Sequence, residues 1–256
     1  MNKGVFITVR TNSMRLPQKA LIDFSDGLTT IEYLIERVKH STKADKIILC
    51  TTKEIEDNVL VDIAIRNEID YYRGSVEDKL QRWKGASEKF DIDYIVTADG
   101  DDLFCEPKLF DFAFDQFDKS SPDFIQCTGI ICGAFTYGIK KSALIKVCEL
   151  KDTDDTEMMW VYFTDTGLFN VEELKNVSSN YLRNDIRMTL DYPEDLEFFK
   201  SVVSKSQKNN AYLHLDDILD LIDKYPDIKK INYFRQKEFL QNQKENINLK
   251  LNKNYL

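Results

Sequence analysis

Histidine, paired cysteine and long apolar runs are what this 256-residue chain has least of. Its two histidines, His40 and His214, have no His or Cys neighbour at metal-ligand spacing, which argues against a structural zinc and against a histidine-based triad. The five cysteines (Cys50, Cys105, Cys127, Cys132, Cys148) are odd in number, include no C-x-x-C pair and mostly lie in or beside apolar runs, so they read as reduced, buried thiols. No run approaches the ~18 apolar residues of a membrane span, and Arg10 and Arg15 interrupt the first apolar stretch too early for a signal peptide. A soluble, cytoplasmic protein with no membrane partner is expected. A basic stripe is missing as well: the formal net charge is -9, and no nucleic-acid partner is expected. The apolar run at 3–10 is followed by no G-x-G-x-x-G, which disfavours an oxidoreductase.

Against this acidic background, residues 1–21 hold four cations (Lys3, Arg10, Arg15, Lys19) and no acid. An apolar strand runs there into a basic loop. A triphosphate is a fitting partner, because Arg binds phosphate as a planar fork and Lys as a point charge. On charge alone, a solvated surface loop explains the segment equally well.

Short β-rich runs alternate with segments of helical period, the pattern of a chain building βαβ units. Strands are predicted at 3–10, 46–52, 68–72, 93–98 and 123–127, and helices at 29–42, 55–66, 76–89 and 106–118. Thr29 to Glu32 supplies a capping box for the first helix. Later the spacing predicts strands at 133–139 and 168–175, a short helix at 141–149, an acidic loop at 151–157, a Pro193-initiated helix to about 205 and another at 214–223. The expected architecture is a single α/β domain over 1–230, with a mostly parallel central sheet flanked by helices and an excursion at about 130–185. A tail over 231–256 is either a docked helix or a frayed end.

A second constellation is acidic. Asp91, Asp93, Asp99, Asp101, Asp102 and Glu106 fall within sixteen residues that contain no base. Asp99, Asp101 and Asp102 follow the run Tyr94–Ala98, where a parallel strand ends and a sheet opens a ligand crevice. Clustered carboxylates repel unless a cation intervenes, and Mg²⁺ is the obvious one, since one or two carboxylates and substrate phosphates commonly hold it. Capping aspartates in a solvated turn are the simpler explanation. Asp191 and Asp195 lie far away at a helix start, and Thr189–Leu190 reads as a strand leading into Asp191, a second strand-end acid that would meet Asp101 across a cleft. The segment Tyr71 to Leu80 reads as a strand, a Gly-Ser turn and a helix start, with backbone N–H groups able to face a nucleotide.

Taken in order, Arg-x-x-Ser-x-Arg-Leu-Pro-x-Lys (Arg10 to Lys19), Arg-Gly-Ser-x-x-Asp (Arg73 to Asp78), Gly100-Asp101 with Pro107, and Thr189-Leu-Asp-x-Pro-Glu-Asp-Leu196 resemble the cytidylyltransferases. These include the enzymes that make CMP-activated 3-deoxy-manno-octulosonate and acylneuraminates, and the spore-coat polysaccharide protein F branch. The resemblance covers about residues 3–205 and implies a nucleotide-diphospho-sugar transferase-like fold. It implies that Arg10, Ser13, Arg15 and Lys19 wrap the triphosphate, that Arg73, Gly74, Ser75 and Asp78 lie by the cytidine with Asp99 also on the nucleotide, and that Asp101 and Asp191 hold Mg²⁺. Arg15, Lys19 and Asp101 would carry catalysis. It further implies CTP and an acidic sugar as partners, or a phosphorylated acceptor, and a homodimer contact in the excursion, where Phe135, Tyr137, Met158, Met159, Trp160, Tyr162 and Phe163 fit an interface or a core. Three departures are Gln18 for the usual glycine, Asp102-Leu103 for a small residue and Pro, and the extra Asp99. A glycosyltransferase is the competing expectation, since Asp99-Gly100-Asp101 is also Asp-x-Asp; the four early cations favour an enzyme that must hold three phosphates.

Overall fold

The computed structural model describes residues 1–13, 15–206 and 212–252. In chain order its elements are β1 (Lys3–Thr8), β2 (Asp23–Ser25), β3 (Leu28–Thr29), α1 (Thr30–Val38), β4 (Lys46–Thr52), α2 (Asn58–Arg66), β5 (Asp70–Gly74), α3 (Lys79–Lys89), β6 (Tyr94–Asp99) and α4 (Pro107–Ser120). There follow β7 (Phe124–Gln126), β8 (Gly138–Lys140), α5 (Lys141–Leu150), α6 (Val161–Thr164), β9 (Val171–Glu173), α7 (Pro193–Lys205), α8 (Leu215–Lys224), α9 (Asp227–Lys230) and α10 (Gln236–Glu245).

Seven strands form one sheet in the order β5-β4-β1-β6-β8-β7-β9. The β5, β4, β1 and β6 strands are mutually parallel, β8 pairs antiparallel with both β6 and β7, and β9 rejoins β7 in parallel. The expected mostly parallel α/β architecture is therefore what the chain builds. Alternate strand residues feed two cores: Val5, Ile7, Leu49 and Val96 pack on one face, Phe6, Ile48, Cys50 and Ile95 on the other. Because both faces are covered, these strands read in sequence as unbroken apolar runs.

Strand order reverses direction between β1 and β6, with Thr8 in register with Asp99. Loops leaving the carboxyl ends of these two strands thus emerge side by side, at the kind of switch point where open α/β sheets bind ligands. Gly100 donates to the Thr8 carbonyl at 2.8 Å, and a Cβ on it would lie 2.7 Å from that of Val9. Only glycine lets the two loops approach so closely.

Several expected boundaries move. The first strand stops at Thr8 because Asp57 captures Thr11, accepting from its amide at 2.8 Å and its hydroxyl at 2.7 Å and bending the chain out of the sheet. The 68–72 strand shifts to β5 because α2 closes through a left-handed Glu68 (φ 56°) and an Ile69 amide bonded to Ala64. Of the 133–139 strand, only the end joins β8: Gly133 sits at φ +89° and Ala134 turns back on Ile131. Of 168–175, only Val171–Glu173 pairs. Thr189–Leu190 belongs to no strand; the segment is tied to loops instead, through Met188 N to Cys132 O and Leu190 N to Asp101 O, both 2.9 Å.

The tail docks. Asn232 is fully buried, donating to the Arg187 carbonyl at 3.0 Å and to Asp195 at 2.9 Å, and Arg235 pairs with Glu194 at 2.9 Å, which lays α10 against the sheet's carboxyl end. Residues 253–256 of the expected tail lie outside the described residues. Of the aromatic and apolar excursion residues, Phe163 stacks on Phe124 at 4.5 Å, Met159, Tyr162 and Phe135 are buried, and Tyr137, Met158 and Trp160 line a cleft. All five cysteines are free; burial pushes the Cys50 thiol up to about 12 and the Cys127 thiol to about 11, so neither is a ready nucleophile. No helix among the described residues is long and apolar enough to cross a membrane.

Candidate active site

A cleft of about 460 Å³ opens at the carboxyl ends of β1 and β6. Its floor carries Asp99, Asp101, Asp102 and Asp191, with Arg15 and Lys79 beside them. Lys19, in a 3₁₀ turn of the basic loop, places Nζ 2.6 Å from Asp101 Oδ2, 3.1 Å from Asp191 Oδ1 and 2.8 Å from the Leu190 carbonyl. Arg15 Nη2 reaches the same Asp191 oxygen at 2.6 Å. Residues more than 170 apart in sequence thereby form one charge cluster.

Asp191 is held rigidly. Arg187, fully buried, bonds Asp191 Oδ2 at 2.8 Å and is itself clamped by Asp195 through Nε at 3.0 Å and Nη2 at 3.2 Å. Asp195 also accepts from the amides of Asp191 and Tyr192 at the start of α7. Burial alone would push the Asp191 carboxyl up, but Lys19, Arg15 and Arg187 outweigh it and hold the group at about 2. Asp102 goes the other way: burial, reinforced by the charges of Asp101 and Asp99, lifts it well above the usual carboxylate range. Lys79 stands 3.0 Å from Asp99, and its charge together with that of Arg10 keeps Glu157 below its ordinary value against the effect of burial.

The donor set suits a hard divalent cation. Two carboxylates and a backbone carbonyl already surround a single positive centre, the Lys19 ammonium, and Mg²⁺ favours such oxygens with substrate phosphates completing its shell. Among the described residues no group of three or more His, Cys, Asp or Glu side chains converges as a metal cage, so Asp101 and Asp191 would be the protein's carboxylate share.

The cluster brings together Arg15, Lys19, Asp99, Asp101 and Asp191. The remaining candidates lie around it. Arg10 faces Glu157 at 3.8 Å, and Ser13 does not line the cleft. Arg73 is spent on the carbonyls of Thr52 and Glu54 and on Asn58. Gly74 packs so tightly on Arg82 that a Cβ would meet its side chain at 2.9 Å, and the Ser75 carbonyl accepts from Arg82 at 2.7 Å. Asp78 is buried, capping α3 through the Gln81 amide at 3.0 Å and pairing with Lys151. In this geometry Asp78 holds the start of a helix and does not line the cleft.

Sequence reasoning missed Lys79 and one wall. Lys79 begins α3, where the helix dipole disfavours a cation, and that misfit was its signal. The wall is α10, through Gln236, Phe239, Leu240 and Gln243, spaced i, i+3, i+4, i+7 along one helix face, and through Asn242, whose Oδ1 accepts from Arg15 at 3.4 Å. Arg187 lies 4.4 Å from the Phe239 ring centroid, tying this wall to the Asp191 clamp.

Comparison with known proteins places this geometry in context. A family model described as cytidylyltransferase matches residues 5–255. The chain is 32% identical over 239 residues to an uncharacterized protein of Methanocaldococcus jannaschii, covering 91% of this chain and 96% of that one. It is 25% identical over 236 residues to the spore coat polysaccharide biosynthesis protein SpsF of Bacillus subtilis, covering 89% and 97%. Among solved structures it resembles a cytidylyltransferase from Leptospira borgpetersenii with a TM-score of 0.79 at 27% identity, covering 89% of this chain and 96% of that one.

Proposed function

The chain belongs to the cytidylyltransferase family, and from that premise we propose that it joins CTP to an acidic sugar, a nonulosonate or 3-deoxy keto-sugar acid, releasing pyrophosphate for surface glycan synthesis. The observation that carries this reading is the convergence of Lys19, Asp101 and Asp191 at the β1/β6 crevice. Similarity to a spore coat polysaccharide biosynthesis protein supports the glycan context.

In the proposed reaction an acceptor hydroxyl oxygen attacks the α-phosphorus in line and releases its proton to solvent, the bond to the bridging oxygen of the β-phosphate breaks, and pyrophosphate leaves with that electron pair. Such chemistry asks the protein mainly for position and electrostatic stabilisation. Asp101 and Asp191 would hold Mg²⁺, which when bound offsets phosphate charge and orients oxygen ligands. Arg15 and Lys19 neutralise charge that grows on the leaving pyrophosphate. Arg187 helps keep Asp191 ionised, and Asp195, gripping Arg187 and the Asp191 amide, keeps it fixed. The hydroxyl, amide and aromatic groups of Thr128, Gln243, Tyr137 and Phe239 offer an acceptor hydrogen bonds and an apolar face. A homodimer contact in the excursion at about 130–185, which would also complete the acceptor pocket, belongs to the same proposal.

Pyrophosphate release, measured with each of four nucleoside triphosphates against keto-sugar acids and sugar phosphates, tests the reading. Turnover with CTP and a keto-sugar acid is expected. Turnover only with sugar phosphates would replace the acidic acceptor with a phosphorylated one.

A further inference from the structure

The basic-loop cations and the floor carboxylates are spent on each other. Lys19 and Arg15 both sit on Asp191 Oδ1, and Lys19 also holds Asp101 Oδ2. Mg²⁺ needs its ligand oxygens at about 2.0–2.1 Å. An ammonium 2.6 and 3.1 Å from those same two oxygens leaves no room for a second cation between them, and repels one nearby. The other oxygen of Asp191 is taken by Arg187, which Asp195 grips from a fully buried position, so that partner stays in place. What can leave are the two loop side chains: Arg15 is 37% exposed, and Lys19 reaches in from a short 3₁₀ turn.

We propose that Lys19 is an exchangeable counter-ion that blocks the Asp101–Asp191 pair against free divalent metal until a polyphosphate draws it away. This inference rests on the nucleotidyltransfer reading above and deepens it. When a metal–triphosphate complex enters, the carboxylates trade an ammonium for the metal and Lys19 trades carboxylate oxygens for phosphate oxygens, so each charge keeps a partner throughout. Metal and nucleotide then bind with positive coupling, and neither binds well alone. Arg15, sharing the same oxygen, moves with Lys19.

Mn²⁺, a paramagnetic stand-in for Mg²⁺, tests this by electron paramagnetic resonance titration of the full chain without nucleotide. Lys19→Met, which keeps length and removes charge, should bind Mn²⁺ more tightly than wild type by about 5–150-fold, the usual range of coupled sites. Lys19→Arg, which keeps the charge, should match wild type, and Asp101→Asn added to Lys19→Met should cancel the gain. Thermal melts of each variant confirm folding. If neither Lys19→Met nor Lys19→Met combined with Arg15→Met gains Mn²⁺ affinity while wild type takes up Mn²⁺ with CTP in an Asp101-dependent way, the exchange is wrong and the metal-assisted reading stands. If neither gains anything and wild type shows no Asp101-dependent Mn²⁺ uptake with CTP either, both fall.

Discussion

The amide of Leu190 donates to the carbonyl of Asp101 at 2.9 Å. This single bond sets two carboxylates ninety positions apart, Asp101 and Asp191, within reach of one lysine ammonium. Gly133 secures the arrangement from the other side: at φ +89° its Cα packs so closely that an added Cβ would lie 1.9 Å from the Met188 carbonyl. Gly133→Ala should therefore push residues 188–191 away from the Asp101 loop. We expect a stability loss of about 1–3 kcal/mol from the strained backbone, and a loss of turnover larger than the fraction unfolded explains. Denaturant melts and pyrophosphate release on the same preparations check this.

Asp101 and Asp191 should separate on mutation. Asp101 is partly open and paired with Lys19, so Asp101→Asn should cost about 10²–10³-fold in activity, the scale of one lost charge-stabilising group, with little effect on folding. Asp191 also answers the buried Arg187, so Asp191→Asn should cost activity and about 3 kcal/mol of stability besides, the lower end for a broken buried pair because Asp195 remains. Equal melting temperatures for the two variants would contradict the clamp.

The sheet was legible from sequence because β1, β4 and β6 are buried on both faces and so stand out as continuous apolar runs. The basic loop and acidic cluster were legible because each concentrates one sign of charge. Thr189–Leu190 was misread as a strand: it leads into Asp191, but its backbone partners are loops, and a pattern of residue types cannot reveal a partner without a period of its own. The α10 wall was hidden by composition. Its Asn, Gln and Lys content resembles a solvated tail, and only the 236, 239, 240, 243 spacing marks the side that faces the cleft.

Asp102 gives the site a pH signature. Its raised carboxyl keeps a proton in the folded protein at pH values where the unfolded chain, titrating at about 3.9, has lost it. Stability attributable to this group therefore falls as pH rises above about 4, through the folded pKa. Asp102→Asn removes that dependence, so it should raise the melting temperature at pH 8 by more than at pH 4. Each 1 kcal/mol gained corresponds to about 2–4 °C. An equal or opposite difference at the two pH values would show that Asp102 is ionised in place.

Lys19 should act on the chemical step. Because pyrophosphate gains charge in the transition state, Lys19→Ala should lower kcat by about 10²–10³-fold and not merely raise KM. Lys3, paired with Asp118 at 2.6 Å on the far side of β1, is the control, and Lys3→Ala should leave kcat unchanged. A Lys19→Ala effect confined to KM would make the loop a docking surface.

Calorimetric titration of the protein with CTP, ATP, GTP and UTP in Mg²⁺, repeated on Asp101→Asn, tests the central claim most directly. The account predicts that CTP binds more tightly than the other three and that Asp101→Asn weakens CTP binding. Tighter binding of another triphosphate, or CTP affinity indifferent to Asp101, would contradict it.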